Sequence, residues 1–280
     1  MLPAARLRRP ARYRIMSTIR SFTAAFSPNQ VVSRTTMYII IGVQVVIAAL
    51  VWLDSPFAVL PTPVEVAGAL HTLWFREGLG RELWTSFGVN LQALGLTLII
   101  SLALSYLTVL PAFRPIAAAV TKGRFLGLIG LTFVFTLVVG GGHRLKLSLL
   151  VFGMTVFFTT SMAAVVAEIP KEKFDHARTL RMSEWEVVWE VVILGTVNEA
   201  IEILRQNAAI GWMMLTMVEG ISRSEGGVGA LLLNQSKHFR LAEVFAIQFV
   251  ILFVGIGQDY VIGALSRTVC PYAHLTLERR

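Results

Sequence analysis

Apolar residues gather along this chain into six blocks, each nearly long enough to cross a bilayer, with short polar connectors between them. Residues 35–53 form the first, 19 residues without a charge; at 1.5 Å per residue this covers most of a ~30 Å hydrocarbon core. A second uncharged run covers 87–110 and is closed by Pro111. The third, 125–142, ends in Gly140, Gly141 and Gly142, and the fourth, fifth and sixth cover 147–167, 197–218 and 244–265. The fifth differs from the rest because Glu199, Glu202, Arg205, Gln206 and Asn207 lie inside it. Ionisable groups in a bilayer cost at least ~2.5 kcal/mol each and so point to mutual pairing or to function. Glu202 and Arg205 stand at i, i+3 and are spaced to neutralise each other. The pattern predicts an all-α transmembrane protein of about six membrane-spanning helices.

The connectors alternate in charge, and this sets the topology. Residues 1–34 carry seven arginines and no acid, whereas 54–86 carry Asp54, Glu65, Glu77 and Glu82 against Arg76 and Arg81. Arg114, Lys122 and Arg124 follow the second block without an acid, and Arg267, Arg279 and Arg280 mark the C-terminal tail. Cationic connectors remain on the cytosolic side, so both termini are expected there. Arg144 and Lys146 fall on the opposite side, too few to reverse the count. The resulting organisation is a basic tail (1–34), a first span (35–53), an external amphipathic segment (54–86), a five-span core (87–266) and a short tail (267–280).

Composition supports this reading. Of 280 residues, 55% are hydrophobic and 15% charged, against about 25% charged in a soluble domain; the mean hydropathy is +0.67. The net charge of +8 is concentrated in the flank before the first span, which suits anionic membrane lipid and not nucleic acid. Cys270 is the single cysteine, so no intramolecular disulfide can form. The five histidines are scattered without metal-ligand spacing, and no nucleophile–base arrangement occurs, so neither a catalytic nor a metal site is expected. The glycines at 140–142 and 226–229 lack the spacing of a phosphate loop or a dinucleotide fingerprint. If ATP drives this protein, another polypeptide binds it.

One charged stretch, 168–190, separates the fourth and fifth blocks. Pro170 is placed to open a short helix running to about Leu180. Ser183, Glu184, Trp185 and Glu186 read as a capping box that starts a second. Trp185, Val188 and Val192 then share a face at i, i+3, i+7. Two short helices at an angle would present a knob of mixed apolar and charged character.

This stretch resembles the coupling loop of ABC-importer permeases, whose pattern is Glu/Asp-Ala-Ala-x3-Gly-x9-Ile-x-Leu-Pro. Asp175-His176-Ala177 stands for its first triplet and Val191-Val192-Ile193-Leu194 for its last four positions. Ala177-Arg178-Thr179-Leu180 and Met182-Ser183-Glu184-Trp185 are similar to the nitrate/sulfonate/taurine-type branch. So are Leu60-Pro61-Thr62-Pro63 ahead of the core, Phe157-Phe158, and Val244-Phe245-Ala246 at the last span. The chain departs from the pattern where Arg181 holds a glycine position and Thr159, Leu194 and Asn198 hold Pro or Gly positions. A left-handed cap at position 181 would cost a non-glycine residue on the order of 1 kcal/mol.

The resemblance covers roughly residues 60–265 and implies the type I importer permease fold. It implies a subunit that forms a pathway for a small solute, of nitrate, sulfonate or taurine type or related, across a bacterial cytoplasmic (inner) membrane. It breaks no covalent bond. The implied partners are ABC ATPase subunits carrying ATP and Mg, a second permease subunit (identical or not), and a periplasmic or lipid-anchored substrate-binding protein. Coupling would fall to Asp175, Ala177, Arg178, Arg181, Ser183, Trp185 and Glu186. The pathway would involve Asn207, Trp212, Thr216 and Glu219, with Glu219 near the mouth. Two rivals are a divergent partner permease with a mainly structural role and an ion-driven carrier using Glu199, Glu202 or Asp259.

Overall fold

The computed structural model describes residues 33–54, 59–222 and 225–271. Most of both tails, together with Arg223, lies outside the described residues. The described chain is helical, with no strand. The helices are α1 (Arg34–Leu53), α2 (Pro63–Phe75), α3 (Leu79–Leu107), α4 (Arg114–Lys122), α5 (Leu128–Val139), α6 (His143–Ala167), α7 (Lys171–Thr179), α8 (Glu184–Val187), α9 (Val197–Ile221), α10 (Val228–Lys237) and α11 (Leu241–Val269).

The chain divides into two units, Met1–Pro63 and Val64–Arg280. In the first, Ser33 caps α1 by accepting the Thr36 N–H at 3.2 Å. Trp52 Nε1 donates to Pro61 O at 3.0 Å, which fixes the turn after the helix. Most apolar side chains of α1 are exposed, as suits a helix whose solvent is lipid.

In the second unit α6 is the central helix. Half of its apolar window is buried, against 33% for α3 and 17% for α11. Leu150 and Met154 of α6 meet Val89, Ala93 and Leu94 of α3 and Ala208, Trp212 and Leu215 of α9 in one core cluster. A second cluster joins Phe158 and Met162 of α6 to Ala200 and Ile203 of α9. The close approach of α9 to its neighbours depends on Gly211: a Cβ there would stand 2.7 Å from Asn90 Oδ1 and 3.1 Å from the Met154 methyl. Small residues at such crossings are how helices pack where lipid removes the hydrophobic drive. The buried face of α3 is also unusually polar, with Ser86, Asn90, Thr97, Ser101 and Ser105 fully enclosed.

Length and apolarity together single out fewer helices than the six blocks. Four described helices are long and apolar enough to cross a membrane: α1, α3, α6 and α11. The expected third span, 125–142, is the 12-residue α5, about 18 Å long. It follows the 111–125 segment at a bend of 117°, and the pair makes a fifth crossing only if counted as one broken span. Gly127, in extended conformation, caps α5 and sets that break. The fifth block, α9, has 25 residues and sufficient length, but its charges keep it from being apolar. Within the segment at 54–86, α3 begins at Leu79. The helix expected after Pro61 does form, starting at Pro63.

Candidate functional site

Three polar assemblies occupy the second unit, and α9 connects them. At its C-terminal end the glycine loop at 226–229 folds over Glu219, which is completely buried. Ser86 Oγ lies 2.7 and 2.9 Å from the two Glu219 oxygens, and the Gly229 N–H donates to Oε2 at 2.9 Å. Ser86 Oγ in turn accepts the Val228 N–H at 2.9 Å. Lys146, only 1% exposed, donates from Nζ to Gly226 O at 2.7 Å, and Glu82 accepts the Gly227 N–H. Gly227 has φ +107, and a Cβ there would run into the Glu219 carboxylate. The loop therefore needs glycine both for its backbone and for the close approach. Four segments are tied together here by hydrogen bonds that are shielded from water.

Midway along α9, a groove of about 530 Å³ opens between α9 and α11. Trp212, Met213 and Thr216 line it from α9, and Gln248, Leu252 and Ile256 from α11. Trp212 is held in place because its Nε1 donates to Gln258 Oε1 at 2.7 Å, an oxygen that also accepts from Asn90 Nδ2 at 3.3 Å. Asn90 Oδ1 and Gln258 Nε2 are buried beside it without a partner. Towards the N-terminal end of α9, Arg205 forms a fork with Asp259: Nε to Oδ1 at 2.5 Å and Nη2 to Oδ2 at 2.9 Å. Arg205 Nη1 meets Glu202 Oε2 at 3.5 Å. The i, i+3 pair expected from sequence is present, but Asp259, 54 residues away, holds the arginine more closely.

The charged stretch forms the third assembly. Pro170 stands in extended conformation as the cap, and α7 begins one residue later. After α7, Arg181 takes φ +58, the left-handed geometry the glycine position of the loop pattern calls for. Ser183 then closes the expected capping box: Glu186 N donates to its Oγ at 3.4 Å, and its own N–H donates to Glu186 Oε2 at 2.7 Å. Arg178 reaches across the turn to Glu184, with Nε–Oε1 at 3.1 Å and Nη2–Oε2 at 3.2 Å, and lies 3.5 Å from Asp175. The Arg178 contact lowers the Glu184 pKa, and the Ser183 backbone N–H lowers that of Glu186.

The expected apolar face over Trp185, Val188 and Val192 does not form. Trp185 is 70% exposed, whereas Val187 and Val192 are buried. The reason is a π-helical stretch, Val188–Ile193, followed by a 3₁₀ turn at Leu194–Thr196. A wider turn brings residues five apart onto one face and defeats a count made at 3.6. Thr196 secures the joint, donating to Val192 O at 2.7 Å and sitting 3.3 Å from the Tyr106 hydroxyl.

Of the residues assigned to a pathway, Trp212 and Thr216 come together on the groove wall. Asn207 lies against α6 instead, where its amide, with O and N exchanged, would bond Met154 O and Phe158 N, each at 3.3 Å. Glu219 belongs to the loop clamp and not to the groove. Of those assigned to coupling, Asp175, Arg178, Arg181, Ser183, Trp185 and Glu186 are exposed on the knob, and Ala177 is buried beneath it. Ser86, Asn90, Gln248 and Gln258 were missed. Their signal was polar residues within or at the edge of apolar runs, which the run lengths concealed.

This all-helical arrangement shares the fold of an ABC importer permease, with four to five stretches long and apolar enough to cross a membrane. The chain is similar to a chain of the MetNI methionine ABC transporter, solved in inward-facing conformations. The TM-score is 0.58 at 16% identity, and the match covers 71% of this chain and 98% of that one. No family model matches the chain, and no curated protein matches it.

Proposed function

We propose that this chain is the membrane-spanning permease subunit of an ATP-driven importer of a small solute, coupled to separate ATPase subunits. The observation that carries the reading is the exposed two-helix knob, α7 and α8, inserted between α6 and α9 of a fold that matches almost the whole of a permease chain. The knob is stiffened by its own cap and ion pairs, and it offers Trp185 and Trp189 to a partner. Force applied there passes through the π and 3₁₀ joint into α9, which forms one wall of the groove. A solute moves only if its affinity differs between the two states of that groove. A second permease subunit would cover the charged face of α9 and α11, which lipid would not solvate. The similar transporter handles methionine. Assignment to the nitrate/sulfonate/taurine branch rests on short sequence words alone.

The test is to tag the C-terminus, extract the complex in mild detergent and identify what co-purifies. An ATPase subunit is the expected result, and Trp185→Ala should then leave ATP hydrolysis running while uptake stops. A chain that emerges alone, and stimulates no ATPase on mixing, would overturn the reading in favour of an ion-driven carrier.

A further inference from the structure

We propose that the groove between α9 and α11 discriminates against anions, and that its solute is neutral or cationic with an apolar body. This rests on the reading of that groove as the pathway. The charges and donors on and beside the described walls carry it. Arg205 is the one cation among the lining residues, and each nitrogen of its guanidinium already faces a carboxylate oxygen. Nε and Nη2 are held by Asp259 at 2.5 and 2.9 Å, and Nη1 by Glu202 at 3.5 Å. On the lining itself Arg205 and Asp259 balance, and Glu202, beside the groove, adds the negative charge at that end. An entering anion would find only the two guanidinium N–H groups left over from these contacts, each on a nitrogen that already faces a carboxylate.

The remaining donors are similarly committed. The Trp212 N–H goes to Gln258, and the Thr216 hydroxyl donates to Met213 O at 2.9 Å. The Gln248 amide and the two unengaged N–H groups of Arg205 are the side-chain donors that remain on the described walls. By contrast, the side chains of Glu202 and Asp259 are 52% and 47% exposed, and each carboxylate has lone pairs to offer. The Trp212 ring and Met213, 67% exposed, supply apolar and cation-attracting surface. A volume of 530 Å³ lies in the range that holds a small molecule.

The experiment uses the full chain in phospholipid nanodiscs, with Met213→Cys as reporter and Cys270→Ser to remove the native thiol. Reaction rates are measured with a cationic (trimethylammonium-ethyl) and an anionic (sulfonato-ethyl) methanethiosulfonate, each normalised to its rate with a small free thiol. The cationic reagent should react about tenfold faster or more, the size of a local charge effect on encounter. Adding Glu202→Gln and Asp259→Asn leaves Arg205 unpaired and should reverse the preference. If that variant does not fold, the ratio in the parent decides. Equal rates, or a faster anionic reagent, would overturn the charge selectivity while confirming that water enters the groove. Reaction with neither reagent would overturn the pathway reading and this inference with it.

Discussion

The two ends of α9 manage charge in opposite ways. At its C-terminal end Glu219 and Lys146 are buried, and each is bound to the glycine loop or its neighbours. At the knob that precedes its N-terminal end, Arg178, Glu184 and Glu186 are exposed and pair in water. A buried polar group has no solvent to return to, so its partners fix geometry, and losing one is expensive. An exposed pair competes with water at every moment and adds little to stability. The clamp therefore behaves as a fixed point, and the knob remains available to another chain.

The largest effect should come from the clamp. Glu219→Ala leaves the Ser86 hydroxyl and the Gly229 N–H without their acceptor, and should cost about 3 kcal/mol. Thermal unfolding of the detergent-purified protein, followed by loss of the monodisperse peak, measures it. A shift no larger than that of an exposed-site control would break the contrast between the ends. At the knob, Ser183→Ala removes the cap on α8 and should cost about 1 kcal/mol; proteolysis at 180–190 should accelerate while the melting of the bundle barely moves.

Arg181→Gly should act in the opposite direction. Relieving the left-handed backbone at φ +58 should gain up to about 1 kcal/mol, offset in part by the freedom glycine adds to the unfolded chain. Slower proteolysis of the knob would register this, and faster proteolysis would mean that the Arg181 side chain is itself in use.

The smallest effect is that of pH. Glu184 and Glu186 have pKa values below the ordinary 4.5, so their contribution is fully present above that value. It disappears as pH falls through the lowered folded values. Cleavage of the knob should be flat from pH 7 to about 5 and rise only in stronger acid. Glu184→Gln should remove part of that rise.

Much of the knob was legible because its rules are local. The capping box at Ser183 depends on a few neighbouring residues, whereas the left-handed position at Arg181 was legible only through the glycine position of the loop pattern it resembles. Trp185, Val188 and Val192 failed as a face for the converse reason: a π turn is chosen by what Val187 and Val192 must pack against, and no local periodicity announces it. The bend before residues 128–139 was hidden for a similar reason. Length and apolarity are the same for a straight crossing and for a short helix after a sharp bend. The choice between them was made at Gly127 and by the packing of α5.

The sequence by itself determined that the chain is helical and membrane-spanning, that charge divides its connectors, and that a capped, charged knob sits before its most polar block. These follow from hydropathy, run length and spacing, which act on neighbours in the chain. Only the tertiary structure decided that Asp259 takes Arg205, that Ser86 meets Glu219 across 133 residues, and that Trp212 lines a groove while Asn207 faces the core. Those pairings depend on how α3, α6, α9 and α11 rotate and close on one another. That is set by the shape of every packed side chain together, and no single segment carries it.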